Sequence, residues 1–179
     1  HKGLGKKVTV NYYPNEINKE CSLIKEMYIQ EGNRRDYEEL APFHYRHTSS
    51  IFPITKIFTV RRGDEIAGVI VYSPSSPAAQ GRKHVFGRTI TVGEVNQFLT
   101  KISRVVVHPK YRSIGAGVKI VKETLPLCGK PYVETFAVMA QYNPFFEKAG
   151  MRKIMVTQPS LSILRAIERL ERLGFSPVY

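Results

Sequence analysis

The sequence predicts a mixed α/β fold, with helices packed around one central sheet. Three observations predict it. Two β-rich runs, 55–60 and 65–72, flank a short glycine-bearing turn, the signature of a hairpin. A third run, 101–108 (KISRVVVH), stops at Pro109 and gives way to residues 115–125, whose Val118, Val121 and Leu125 share one helical face. Segments of helical period alternate with β-rich ones along the rest of the chain, which is the order of an α/β domain.

The elements follow in chain order. Residues 7–13 (KVTVNYY) alternate and favour a first strand. After Pro14 and Asn15, the segment 16–30 places Ile17, Cys21, Ile24, Met27 and Tyr28 at helical spacing. A second short helix is expected over 36–40. Arg61, Arg62, Gly63 and Asp64 make the turn of the hairpin. The stretch 73–83, with Pro74, Pro77 and Gly81, reads as a long loop, a class often functional. A further strand is expected over 85–91 and a short connection over 92–99. Beyond the strand at 101–108 and the helix at 115–125 come a strand at 132–138, a short helix at 143–149 and a strand at 152–157. Ser160 then caps a helix over 161–173, with Leu161, Leu164, Ile167 and Leu170 as its apolar stripe and Gly174 at its end. That stripe reads first as core and second as an interface.

Length and composition bound the function. A chain of 179 residues fits one domain spanning 1–179, with 159–179 as a C-terminal helical extension. Its 42% hydrophobic residues suffice for a real core. The chain starts at His1 rather than Met, which suggests a domain taken from a longer protein or a tag remnant. No apolar run approaches the roughly 20 residues of a membrane span. Cys21 and Cys128 form neither a disulfide framework nor a metal site; they fit buried free thiols, and a cytoplasmic protein is expected. No metal-binding motif and no Walker loop is present. The net charge of +12 suits a polyanionic partner such as a nucleotide cosubstrate, nucleic acid or an acidic protein, and equally a plain solvated basic surface.

The segment with a chemical reading is the junction of strand and helix, where Arg112, Ser113, Ile114, Gly115, Ala116 and Gly117 follow Pro109, Lys110 and Tyr111. Glycines at a helix start let the backbone approach a bound group. The unpaired N–H groups of the first turn and the helix dipole then favour an anion, typically a pyrophosphate. Arg112 adds a permanently charged planar donor. A purely structural glycine turn is the alternative at this point. The order RxxGxG is neither a Walker loop nor the dinucleotide fingerprint GxGxxG.

RxxGxG after a hydrophobic strand ending in His108-Pro109 resembles motif A of the GNAT acyltransferases. Residues 144–151 (PFFEKAGM) are similar to that family's second signature, and the two motifs arrive in family order with a strand between them. The resemblance implies a central sheet that is mixed but mostly antiparallel, in a three-layer arrangement, and acetyl-CoA or a related CoA thioester as cosubstrate, with no metal. It implies that the backbone of Val105, Val106 and Val107 meets the pantetheine arm, that the N–H groups of residues 112–117 take the pyrophosphate, and that Asn143 and Phe146 lie near the thioester. The implied reaction is direct acyl transfer to an acceptor amine.

Two positions depart from the family pattern. Phe146 stands where many members keep an acidic tyrosine, and Lys101 where a well-known catalytic glutamate falls. Candidates elsewhere are Tyr142 as acid, and Glu94, His47 (or His44) and Ser103 as groups that touch the amine or its proton; packing and solvated-loop roles are the plain alternatives. Residues 43–72 show a thinner resemblance to phage Mom-like DNA-modifying proteins and to acetyltransferase modules associated with archaeal ABC-type ATPases. With the net charge, this makes DNA or RNA an alternative acceptor, with Arg61, Arg62, Arg82, Lys83, Arg88, Lys101 and Arg104 as its basic set and Tyr45 and Phe86 as stacking groups. A non-catalytic CoA- or nucleic-acid-binding module is the third reading. A homodimer and attachment to a larger protein both stay open.

Overall fold

The computed structural model describes residues 21–44, 53–137, 143–155 and 161–175. Its elements are α1 (Ser22–Lys25), β1 (Tyr28–Glu31), α2 (Arg34–Leu40), β2 (Lys56–Arg62), β3 (Glu65–Pro74), α3 (Arg82–Phe86), α4 (Val92–Phe98), β4 (Leu99–Val107), α5 (Ala116–Thr124), β5 (Tyr132–Thr135), α6 (Phe145–Lys148) and α7 (Leu161–Arg172). The five strands form one sheet in the order β1-β2-β3-β4-β5. The first three pairings are antiparallel and β4–β5 is parallel, so the sheet is mixed and mostly antiparallel, as expected.

β3 sits at the centre and is buried from Ile66 through Ser73, which explains its nearly unbroken apolar run. On one face Phe58, Val60, Ile70, Tyr72 and Ile102 pack against Ala116, Ile120 and Val121 of α5. On the other face Ile57, Val69, Val71 and Val106 pack against Tyr37 and Leu40 of α2. Burying each such aliphatic side chain stabilises the fold by roughly 1.5–3 kcal/mol. One polar pair lies in the first layer. Thr124 Oγ1 donates to Ile120 O at 2.6 Å and accepts from Tyr72 Oη at 2.8 Å. The burial of Tyr72 pushes its phenol up to about 12.

Several sequence expectations are corrected. Of the helix expected over 16–30, the part from residue 21 on is the single turn α1 followed by strand β1, where residues 28–31 pair with β2 and so override the helical spacing; residues 16–20 lie outside the described residues. The strand expected over 85–91 is instead α3, bracketed by Gly81 and Gly87 at positive φ, and then irregular chain. The connection at 92–99 is helix α4. Its start signal was in the sequence: Thr91 and Glu94 form a capping box. β5 ends at Thr135, three residues before its expected limit, and Arg152–Met155 form no strand. The stripe of α7 is not core, since Leu161 is 73% and Leu170 50% exposed. The strand expected at 7–13 lies outside the described residues.

Among the described residues no helix is long and apolar enough to cross a membrane, and no group of three or more His, Cys, Asp or Glu is placed to hold a metal. Cys128 is buried and Cys21 half-buried, both as free thiols.

Candidate functional site

The site is built from a strand that outlasts one of its neighbours. β4 stays paired with β3 as far as Val107, but its pairing with β5 stops at Ile102 opposite Thr135. Beyond that point no described residue pairs with the β5 side of β4, and among the described residues a wedge is left there. The polarity of the open edge follows from antiparallel alternation. His108 N–H donates to Ala67 O at 2.9 Å, so His108 is a hydrogen-bonded position facing β3. Val106 is then another, while Val105 and Val107 turn their N–H and C=O groups toward the wedge. Of the three valines singled out in the sequence, two therefore turn backbone there, although the Val107 C=O accepts from Arg112 Nε. Val106 instead buries its side chain under α2.

The register of β4 slips by one residue opposite Val71 and Tyr72, which leaves Ser103 as the extra residue of a bulge. Ser103 Oγ accepts from Ser73 Oγ at 3.0 Å and donates to Val71 O at 3.1 Å. Its hydroxyl is thus held by β3.

β4 leads into the loop. His108 caps the next turn, its Nδ1 accepting from Lys110 N–H at 3.2 Å. Tyr111 is buried and donates to Glu65 at the β2–β3 hairpin, 2.5 Å away, and Lys110 bonds both oxygens of the same carboxylate. These two contacts hold the Glu65 carboxyl below its ordinary range, the Lys110 bond contributing most. The loop base is therefore fixed to the body of the sheet.

Past Tyr111 the backbone enters the left-handed region twice, at Ser113 (φ 65°) and at Gly115 (φ 104°). Gly115 is the residue before α5 and no side chain caps that helix. The first intrahelical bond runs from Lys119 N–H to Gly115 O. The N–H groups of Ala116, Gly117 and Val118 therefore lack intrahelical partners and carry the positive end of the helix dipole. Gly117 faces Phe145 of α6, where an added Cβ would sit 3.6 Å from the ring, an ordinary contact. Phe145 and Phe146 stack at 4.1 Å and pack on the α5-side core, while Asn143 is exposed.

Three hydrogen bonds of Arg112 qualify the expected donor set. Arg112 N–H already donates to Pro109 O at 3.3 Å. The Arg112 guanidinium donates through Nε to Val107 O (3.2 Å) and through Nη2 to Phe43 O (3.0 Å). Arg112 thus ties the turn after α2 to the loop. That contact, with the Phe43–His108 ring pair at 5.0 Å, brings Phe43 and the start of the 43–47 segment to the loop. His47 and Tyr142 lie outside the described residues.

Glu94 is occupied differently from its sequence reading. It accepts from the Thr91 N–H and Oγ1 and forms an ion pair with Arg88 at 2.5 Å. The Arg88 bond, then the Thr91 bonds, hold its carboxyl down at about 2, so it is a weak base. Of the seven cations proposed as a nucleic-acid set, four are paired with carboxylates: Arg61 with Asp36, Arg62 with Glu26, Arg82 with Glu134 and Arg88 with Glu94.

The sequence reading missed the Arg82–Glu134 pair. Arg82 grips both oxygens of Glu134, at 3.0 and 2.6 Å, and also donates to Ser76 O and Pro77 O. Glu134 stands one residue before β4 and β5 part, so this largely buried pair anchors the 76–86 segment beside the wedge. Nothing in the sequence signals a partner 52 residues away. An open groove lined by Glu31, Asn33, Arg34 and Ile54 lies at the opposite edge of the sheet.

No family model matches the chain, and no curated protein matches it. Solved structures do. A GNAT family acetyltransferase from Brucella melitensis in complex with acetyl-CoA is 14% identical, with a TM-score of 0.43 over 65% of this chain and 81% of its own. An acetyltransferase from Trypanosoma brucei is 15% identical, with a TM-score of 0.48 over 75% and 98%. The glucosamine-6-phosphate N-acetyltransferase of Arabidopsis thaliana is 18% identical, with a TM-score of 0.47 over 75% and 97%.

Proposed function

We propose that this chain is an acyl-CoA N-acyltransferase of the GNAT type, with acetyl-CoA as its cosubstrate. One observation carries the reading. A strand with open N–H groups at Val105 and Val107, the Val107 carbonyl being taken by Arg112, runs directly into an uncapped helix start with positive φ at Ser113 and Gly115. An extended amide-bearing arm ending in a pyrophosphate fits both parts at once. The arm can bond the strand edge and the anion can take the free N–H groups of Ala116, Gly117 and Val118.

When bound, the thioester supplies an activated carbonyl. The residues of this chain place it. On this reading the open N–H of Val105 or Val107 polarises the carbonyl oxygen, and Phe145 and Phe146, which pack on the α5-side core, shield the thioester from water. The amine attacks as the free base, and holding it against a reactive thioester supplies much of the rate. Glu94, engaged by the Arg88 ion pair and the Thr91 cap, is not proposed as the base. His47 and Tyr142 remain the proposed groups for proton acceptance and for protonation of the leaving thiolate.

Calorimetric titration with acetyl-CoA tests the reading. Gly115→Glu sets a carboxylate at the helix start and is expected to abolish binding. Gly115→Asn is the control. Neither residue meets a heavy atom within 4 Å at its Cβ, and Asn tolerates positive φ best, so it isolates charge from strain. Binding by wild type and Gly115→Asn but not by Gly115→Glu is the expected pattern. Equal binding by all three contradicts the placement.

A further inference from the structure

One carboxylate across the end of the sheet holds the two residues that lead into the loop. Tyr111 Oη donates to Glu65 Oε2 at 2.5 Å, and Lys110 Nζ bonds both oxygens of Glu65, at 3.0 and 2.8 Å. Glu65 opens β3 and precedes Tyr111 by 46 residues. The tyrosine is 1% exposed and belongs to the α5-side core with Ala116, so its ring is fixed as well as its hydroxyl. Lys110 is a cation beside the loop, yet its charge is directed at the hairpin, with Nζ also 5.2 Å from the centre of the Tyr111 ring.

The hairpin that carries Glu65 is itself tied to three elements. Gly63 O accepts from Tyr28 Oη of β1 at 2.8 Å. Arg62 Nε donates to Glu26, just beyond α1, at 2.7 Å, and Arg61 Nη2 donates to Asp36 of α2 at 2.8 Å. Past Tyr111 the chain carries a non-glycine residue, Ser113, at φ 65° before α5 begins. A residue in that region persists only where its surroundings over-determine it. The ties of Tyr111 to Glu65 and of Arg112 to Phe43 O, made one and two residues before Ser113, supply that constraint. Glu65 is thus the link between a fixed hairpin and a strained loop.

Resting on the acyltransferase reading, we propose that Glu65 is a positioning residue for acetyl-CoA, which acts through Tyr111 and Lys110 to hold the loop in the conformation whose N–H groups receive the pyrophosphate. Lys110 belongs to this anchor and not to the set of phosphate ligands. The sign of the effect separates an anchor from a bystander. Glu65 is an anion at the base of an anion site, so by charge alone its removal tightens the binding of acetyl-CoA. As an anchor, its removal weakens binding, because the free energy of ordering the loop is then subtracted from the affinity. The fold tolerates the loss. The Lys110 and Glu65 side chains are 56% and 43% exposed, and ion pairs that exposed contribute little to global stability.

The first test is calorimetric titration of Glu65→Gln, Tyr111→Phe and Lys110→Met with acetyl-CoA, beside wild type. Each substitution keeps the shape of the side chain and removes one partner of the cluster. All three are expected to raise the Kd by about five- to thirtyfold, the effect of one charged hydrogen bond, while urea unfolding stays cooperative with a midpoint near that of wild type. In turnover, the KM for acetyl-CoA rises by a similar factor and kcat at saturation stays within about twofold, a split that general loss of structure does not produce. Glu65→Gln and Tyr111→Phe combined cost less than the sum of the two, because they break the same contact. Unchanged or tighter binding by Glu65→Gln overturns the proposal. Weaker binding by Lys110→Met alone overturns it too, by assigning Lys110 directly to a phosphate.

The second test needs no ligand. Tyr111 N–H donates to His108 O at 2.9 Å and Arg112 N–H to Pro109 O at 3.3 Å, so both amides report on the order of the loop base. In the unliganded protein their hydrogen exchange is expected to be about five- to thirtyfold faster in Glu65→Gln than in wild type, with the middle of α5 unchanged. Equal exchange at Tyr111 and Arg112 refutes the anchor. Failure of the wild type to bind acetyl-CoA would instead fall on the acyltransferase reading, and the exchange measurement still decides whether Glu65 holds the loop.

Discussion

Replacing Arg82 by methionine tests how the 76–86 segment is held beside the wedge. The guanidinium makes four hydrogen bonds, two to Glu134 (3.0 and 2.6 Å) and two to the carbonyls of Pro77 (3.2 Å) and Ser76 (2.6 Å). The two side chains are 9% and 19% exposed. Removing one member of a fully buried pair costs about 3–5 kcal/mol, because the survivor keeps its charge without a partner. Glu134 retains some access to water, which brings the expected loss for Arg82→Met to about 2–3 kcal/mol. Arg82→Met combined with Glu134→Met removes both charges and should recover part of that loss, giving a coupling of about 1–3 kcal/mol in a double-mutant cycle. Urea unfolding of the four proteins measures it. A single-variant loss below about 1 kcal/mol, or a coupling of zero, would show that the pair does not hold the segment.

Two further outcomes follow from titrating groups. Tyr72 is neutral in the fold up to about pH 12 but ionises near 10 once unfolded. Over that window the unfolded chain binds fewer protons, so stability falls as pH rises from 10 to 12 and levels off above it. Tyr72→Phe, compared with wild type by chemical denaturation, should lack that component; an identical slope would refute the burial argument. Glu94 has the opposite sign. Its carboxyl is depressed to about 2 in the fold, so its contribution is present above the ordinary carboxylate pKa and is lost as pH falls toward 2. Glu94→Gln should therefore flatten the acid limb of stability yet leave acyl transfer at neutral pH within about twofold, whereas loss of a true general base costs about a hundredfold or more.

The parts of the site that the sequence displayed are local ones. In residues 101–117 the signal is all within one strand, one proline and one helix start, so the run KISRVVVH, the stop at Pro109 and the glycines before α5 were enough to place the loop. The wedge was not legible without the family resemblance, because it depends on where β5 stops pairing, and β5 is only four residues long. β1 was hidden for a related reason. Ile24 and Met27 keep helical spacing because both reach the α5-side core, yet the chain between them turns from α1 toward β1. The 82–98 region carries a readable local signal, the Thr91–Glu94 capping box, which identifies α4 and also accounts for Glu94. Arg112 illustrates a different limit. Its charge pointed to a phosphate, but its geometry ties Val107 to Phe43, 69 residues away from it in sequence. Basic residues counted as a nucleic-acid set were likewise free in composition and largely paired in space.

Amide hydrogen exchange on β4, with and without saturating acetyl-CoA, tests the central claim most directly. Val106 is already bonded to β3, whereas Val105 and Val107 turn their amides toward the wedge. A CoA arm along that edge should slow exchange at Val105 and Val107 and in the first turn of α5, at Ala116 and Gly117, while leaving Val106 unchanged. Unchanged exchange at Val105 and Val107 in a protein that binds acetyl-CoA would contradict the account, because the thioester would then lie somewhere other than this wedge.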